Sequence, residues 1–470
     1  MISIDEFEWS QQLFGGSDLG DARRTARLVD VTARMAAQVG RSLAKSCEGN
    51  QAALLGGYRL IRNEAVEPEA IRSGGFEHVA QKAQRHQLLL AVEDSTSISY
   101  THAAAAELGV TGSKPDVKRS GFLVHSVLLL DAVSEQTIGL IEQQHWCRDR
   151  AGFGKKHLRK QRAYEDKESY KWEQASVQTS KRLGLAMERT LSICDRESDV
   201  YEYLLYKCQQ HQRFVVRAQV DRKLLHNELK LFEAMACTAP ALCCYTVQIP
   251  QRGGRKAREA KLLLRGATLE LLAPTGRTVS PGSLKVNVVL AEEIDAPTPL
   301  EPLSWVLLTT ENVSSAEEAR QVVRYYELRW RIEDYHKAWK SGVGVERQRF
   351  QCAKNLERML VITAFLAVRL LQLRECLNAP AAADRTETSC EAVLSEDEWK
   401  VLWLSTERKK PLPQAAPLAT WAFYAIAKLG GFTDTKRTGR PGWDTIWHGW
   451  FRLQERLEGY QLSKSALAEL

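Results

Sequence analysis

An α+β multidomain fold is predicted by three observations. The segments at both ends of the chain read as helical, with no clear strand in the first 70 residues. Two short apolar runs, Leu88–Asp94 and Thr190–Asp195, each finish in an acid and are followed by further strand and helix patterns. Four strand-like runs separated by Gly/Pro-containing turns fill residues 235–310. Together they describe a mixed α/β core carrying an antiparallel β insertion, flanked by helical segments. The boundaries expected are 1–70, 71–376 (insertion about 235–310) and 377–470.

In chain order, Asp21 to Ala37 carries Leu28, Val31 and Met35 on one side, with Arg23, Arg24, Arg27 and Arg34 interleaved. That is the period of an amphipathic helix. Glu48 to Arg62 repeats it and stops near Asn63. Leu88–Asp94, Gly121–Val133 and Gln136–Trp146 are three strands in a row, the last two joined by a turn at Ser134-Glu135, and predict an antiparallel meander. A basic, glycine-containing loop runs from Arg150 to Arg162. A helix over Trp172–Met187, a strand over Thr190–Asp195, a helix over Val200–Gln209 and a strand over Arg213–Gln219 follow. After the strand-rich block, Ser315–Trp339 and Asn355–Leu377 are long and periodic. Residues 379–390 read as a linker and Ser405–Pro417 as a loop. A tryptophan-rich helix, Trp443–Gly459, ends the pattern, with Trp443, Ile446, Trp447 and Trp450 in a stripe.

The 470 residues are 44% hydrophobic and 26% charged, which excludes disorder as the main state. A net charge of +7 permits a nucleic-acid partner without demanding one. The longest apolar run, Val361 to Leu373, is too short to span a bilayer and is interrupted by Thr363, Arg369 and Gln372. The acidic start, MISIDEFEWSQQ, is unlike a secretory leader. Ten cysteines without a CxxC pair, and histidines without zinc spacing, read as free thiols and no zinc site. A cytoplasmic protein is expected.

Asp94 and Asp195 sit at the carboxyl ends of their strands, where α/β sheets place their sites. Two carboxylates brought together repel unless a cation neutralises them, and all-oxygen ligands favour Mg²⁺ or Mn²⁺. Each aspartate taken alone reads more simply as the cap of a strand end. In YYELRWRIEDYHKAWK, Tyr325, Leu328, Ile332, Tyr335 and Trp339 step by three or four along an apolar face. Tyr326, Arg329, Glu333, Lys337 and Lys340 step likewise along a neighbouring polar face. Such a stripe is either a solvated face or an acid among phosphate-binding cations.

These residues carry a resemblance. The chain resembles bacterial cut-and-paste DDE transposases of the insertion-sequence-four family, closest to the transposon-five kind. Tyr326, Arg329, Glu333 and Lys340 stand at the spacing Tyr-x2-Arg-x3-Glu-x6-Lys. Asp195 opens CDRESD's Asp-Arg-Glu, and Asp94 lies in AVEDSTSISY. GDARRTARLV, SWVLLT, WRIEDYHKAWKSG and KLGGF extend the likeness over nearly the whole chain.

The resemblance implies an RNase H-like catalytic core, with the β insertion occupying the 138 residues between Asp195 and Glu333. It implies that Asp94, Asp195 and Glu333 are catalytic and hold two Mg²⁺ ions, Mn²⁺ substituting, that activate water or a 3′-hydroxyl and stabilise the leaving oxygen. Tyr326, Arg329, Lys340 and Arg217 would contact phosphates, with Lys337 beside them on the stripe. Trp305 would support a flipped base, and Trp330 shares that double reading of stacking surface or core. Arg23, Arg24 and Arg27 would contact the terminal inverted repeat. The partners implied are double-stranded DNA, as element ends and target, and a second copy in a synaptic homodimer, with no membrane and a nucleoid location when bound. The alternatives are a non-catalytic DNA-binding relative or transposition inhibitor, and an RNase H-like nuclease without strand transfer.

Overall fold

The structure, a computed structural model, describes residues 5–112, 120–148, 162–249, 257–275, 281–296, 302–377, 388–435, 438 and 440–468. The basic stretch Arg150–Arg162, apart from its last residue, and most of the expected linker at 379–390 lie outside the described residues.

The elements are numbered in chain order. Five helices come first: α1 (Glu6–Phe14), α2 (Ala22–Ala37), α3 (Leu43–Ser46), α4 (Gln51–Arg62) and α5 (Pro68–Ala83). Strands β1 (Leu89–Tyr100), β2 (Gly109–Val110), β3 (Ser120–Asp131) and β4 (Thr137–Trp146) follow, then α6 (Lys171–Leu183), β5 (Thr190–Cys194), α7 (Tyr201–Gln209) and β6 (Arg213–Arg217). Next are β7 (Lys223–Leu224), β8 (Asn227–Lys230), α8 (Leu231–Cys237), β9 (Ala241–Ile249), β10 (Arg258–Leu272), β11 (Ser283–Ile294) and β12 (Ser304–Thr309). Helices α9 (Ala316–Glu327), α10 (Trp330–Lys337), α11 (Ala353–Leu377), α12 (Glu396–Thr406), α13 (Ala419–Leu429) and α14 (Trp443–Ala468) complete the chain. The result is a mixed α/β protein with a central sheet and helical regions at both ends. Among the described residues no helix is long and apolar enough to cross a membrane. All ten cysteines are free.

The chain divides into two compact units: Met1–His78 with Ile98–Phe122 and Asp334–Leu470, and Val79–Ser97 with Leu123–Glu333. The second unit holds most of the sheet. β1, β5 and β6 are parallel neighbours, β4 pairs antiparallel with β3, and β3 lies beside β1. At the other edge β12 pairs antiparallel with β6, β11 with β12 and β10 with β11. The antiparallel strands of 241–309 therefore continue the central sheet. Beneath it, Leu89 and Ala91 of β1 and Val127 and Leu129 of β3 pack with Ala175 and Leu183 of α6 in one apolar layer. Alternate side chains of the same strands point to the opposite face.

Two elements depart from expectation. The strand expected to end at Asp94 runs on to Tyr100, so Asp94 stands within β1, at the point where pairing with β5 stops. Ser315–Trp339 is not a single helix: α9 stops at Glu327 and α10 starts at Trp330. Between them Arg329 N donates to Tyr326 O, Arg331 N to Leu328 O and Ile332 N to Arg329 O, at 3.0–3.1 Å. These i→i−3 bonds wind the joint more tightly than an α-helix. Beyond Lys337, Ala338–Val343 relaxes into a π-helix that ends at Gly344, whose φ of +70° suits a residue without Cβ. The apolar face survives both changes, since Tyr325, Leu328, Ile332, Tyr335 and Trp339 are all buried.

In the first unit, α2 starts at Asp21, whose carboxylate accepts from Arg23 N at 2.9 Å. Helix α5 has no counterpart in the sequence reading. Its Gly74 and Gly75 interrupt the apolar period, but they serve close packing: a Cβ at Gly75 would stand 2.3 Å from the Phe365 ring. Arg358 of α11 is 1% exposed. It donates to the carbonyls of Ile61 (3.0 Å) and Val66 (2.6 Å) and to Asn355 Oδ1 (2.9 Å). The orphan carbonyls at the end of α4 thus find their donor about 300 residues away in sequence. Arg358→Met should lower the stability of this unit by about 2–4 kcal/mol, because it strands buried carbonyls. Urea unfolding of the two proteins measures the difference.

Candidate active site

Parallel pairing brings two of the acids together. β1 and β5 run in register with Glu93 opposite Cys194, so the next residues, Asp94 within β1 and Asp195 just past β5, stand side by side. Asp94 is the more enclosed. Burial and the neighbouring charge of Asp195 push its carboxyl up to about 6. Asp195 is also raised, by burial first, although its Oδ1 accepts from Glu197 N at 2.8 Å.

The third acid arrives with Arg329. The guanidinium places Nη2 2.9 Å from Glu333 Oε1 and Nη1 3.4 Å from Asp94 Oδ2. The four-residue step from Arg329 to Glu333 puts both on one side of the α10 start. Arg329 is itself nearly buried, with its Cζ 5.2 Å from the centroid of the Trp330 ring and 5.9 Å from that of Tyr326. Trp330 is 44% exposed, so it presents a ring face to solvent.

A second cluster lies on the same unit. Arg217, at the end of β6, donates to Ser304 O at 3.0 Å, and Trp305 of β12 meets Tyr326 edge-on at 5.6 Å between centroids. Trp305 is partly exposed and pairs with Ala291 of β11. Lys171, at the start of α6, bonds Glu197 at 3.3 Å, and its charge acts on Asp195. The sequence reading did not single out Lys171.

The remaining expected contacts belong to the first unit. Arg23 is exposed and pairs with Asp21, Arg24 donates to Leu19 O at 2.9 Å, and Arg27 pairs with Asp30 at 3.2 Å while lying over Gly56. Arg23, Arg27 and Arg34 line an open cleft with Asn50, Ala52 and Ala53, beside the N-terminus of α4. Lys337 is exposed, 3.8 Å from Asp334. Lys340 lies in the π-helix, where burial lowers its amine below the ordinary lysine range.

The donor set is all carboxylate oxygen, which suits a hard divalent cation. Asp94 is raised by burial first and by the charge of Asp195 second, and a bound cation would offset both. Among the described residues no three His, Cys, Asp or Glu side chains stand close enough to hold an ion. Here Asp94 and Glu333 are bridged by Arg329.

Two family models match the chain. Residues 6–66 match a transposase DNA-binding model, covering α1, α2, α3 and α4. Residues 94–369 match the transposase DDE domain, from Asp94 through Asp195 and Glu333 into α11.

The raised Asp94 carboxyl has a measurable consequence. Its proton is held more tightly in the folded protein than in the unfolded chain. Stability is therefore lost as pH rises from about 4, the unfolded value, to about 6. In metal-free buffer near neutral pH, Asp94→Asn should be more stable than the parent by about 1–3 kcal/mol, and the gain should vanish below about pH 4. Thermal melts across pH check both the sign and the window.

Proposed function

The chain belongs to the DDE transposase family, and we propose that it is a cut-and-paste enzyme of the insertion-sequence-four, transposon-five-like kind. It binds terminal inverted repeats, nicks each element end, forms and reopens hairpins, and joins the 3′ ends to target DNA. The observation that carries this reading is the meeting of Asp94, Asp195, Glu333 and Arg329 where the parallel pairing of β1 with β5 stops.

The proposal assigns residues 71–376 to an RNase H-like catalytic domain, 1–70 to recognition of the DNA end, and 377–470 to pairing of two copies. Asp94, Asp195 and Glu333 would hold Mg²⁺, or Mn²⁺ in its place, which supplies activation of the attacking hydroxyl and stabilisation of the leaving oxygen. Arg329, freed from Asp94 and Glu333 by that exchange, has donors for a phosphate oxygen. Tyr326 holds the guanidinium plane from one side. Arg217, Lys337 and Lys340 add cationic contacts to the DNA backbone, which position the strand without reading its sequence. Arg23, Arg24 and Arg27 face the terminal repeat. Trp305 and Trp330 offer indole faces to an extruded base.

The acids are tested by Asp94→Ala, Asp195→Ala and Glu333→Ala in a nicking assay on an end-bearing duplex. Each should reduce Mg²⁺-dependent nicking by about a thousandfold, roughly 4 kcal/mol of barrier, and leave end binding near the parent's. A variant that cuts normally removes its residue from the site. Nicked products without joined products would favour the nuclease reading. Binding without either product would favour the inhibitor.

Trp305→Ala should separate two steps. Nicking needs a positioned phosphate, whereas hairpin closure also needs the facing strand to bend back, which base flipping relieves. Losing roughly 1–3 kcal/mol of stacking should slow closure by about 5- to 150-fold with nicking little changed. Gel quantification of nicked and hairpin intermediates decides it: parallel loss of both steps makes Trp305 a packing residue.

A further inference from the structure

A buried polar group lies directly behind Asp94, on the face of the sheet that packs against α6. Glu93 continues the Leu89–Ala91 alternation of β1 into that layer, and His125 continues the Leu129–Val127 alternation of β3. His125 is fully buried and Glu93 is 1% exposed. The imidazole Nδ1 stands 3.0 Å from Ser95 Oγ, and Nε2 stands 3.5 Å from Glu93 Oε2. Its ring meets Trp172 edge-on, 4.5 Å between centroids, which fixes its plane. Burial holds His125 below the ordinary imidazole range, so the ring is neutral, with one nitrogen donating and the other accepting. Ser95 N in turn donates to Asp94 Oδ1 at 2.7 Å. One side chain of the adjacent strand therefore bonds the residue after Asp94 and lies close to the residue before it.

A purely structural histidine has little reason to be here. Its same-face neighbours on β3 are Leu123 and Val127, and burying an imidazole between them costs free energy unless its nitrogens are used. Both of its nitrogens face the two residues that flank Asp94.

We propose that His125 is a positioning residue that fixes the backbone and carboxylate of Asp94 through Ser95, and so sets the site's affinity for a divalent cation. The proposal rests on the reading of Asp94 as a metal-holding acid. Outer-shell partners of this kind commonly contribute about 10- to 100-fold to metal affinity or activity.

The test uses full-length protein and Mn²⁺ as the probe, with binding followed by electron paramagnetic resonance and nicking measured in parallel. His125→Phe keeps a ring against Trp172 and removes both nitrogens. It should weaken Mn²⁺ binding and slow nicking by about 10- to 100-fold while melting cooperatively. Ser95→Ala should give a similar loss, and the double variant should lose no more than the larger single loss, because the two act through one contact. His125→Asn, whose amide can still meet Ser95, should recover most of the affinity. If His125→Phe does not fold, Ser95→Ala and His125→Asn carry the comparison. Parent-like Mn²⁺ affinity in folded His125→Phe or in Ser95→Ala overturns the positioning role, as do losses that multiply in the double variant. If the parent shows no Mn²⁺ binding that Asp94→Ala abolishes, the active-site reading itself fails and takes this role with it.

Discussion

Negative charge gathered where water is scarce is the constraint on which the second unit turns. Parallel pairing of β1 with β5 forces Asp94 beside Asp195, and burial removes the solvent that would screen them. The protein answers with Arg329, placed by a tight backbone joint so that one guanidinium reaches both Asp94 and Glu333. The arrangement is poised. A bridging arginine offsets the charge of Asp94 and Glu333, and under the proposed function its bonds would give way to those of a cation and a phosphate. An apolar substitute would leave the carboxylates without that offsetting charge.

How much of this was legible in the sequence varies by element. Runs such as Thr190–Cys194 announce themselves because apolar residues bounded by an acid fit little else. The amphipathic period of α2 was equally plain. Helix α5 was not, since Gly74 and Gly75 blank the period and their purpose is visible only beside Ser17 and Phe365. Helices α12 and α13 carry no assignment in the sequence reading either. Ser395 and Glu398 do form a capping box at the head of α12, a signal that was present and passed over. The break at Leu328-Arg329 falls inside a helical period that runs through it without a glycine or proline, so local propensity had no reason to mark it.

The candidate site shows the same division. Residue types and spacing pointed to three acids and an arginine as a group, because carboxylates at strand ends and a cationic stripe have few joint uses. What spacing did not supply was adjacency. That β1 and β5 are neighbours, or that Arg217 and Trp305 come close to one another through β6 and β12, depends on strand order. The polar layer behind Asp94 was hidden for another reason. A lone histidine in GFLVHSVLLLD carries no signal of its own, and only the folded strands set its Nδ1 against Ser95 and its Nε2 near Glu93.

The reach of Arg358 back to the end of α4 bears on how the chain matures. The helices matched by the DNA-binding model are made first by the ribosome, yet the side chain that satisfies Ile61 and Val66 is made some 300 residues later. Until then those carbonyls must be hydrated, and the surface that α11 will cover is open. The amino-terminal segment is therefore contiguous in sequence without being self-sufficient in structure. A fragment cut after residue 66 keeps Arg23, Arg24 and Arg27 but loses the Arg358 buttress at the end of α4.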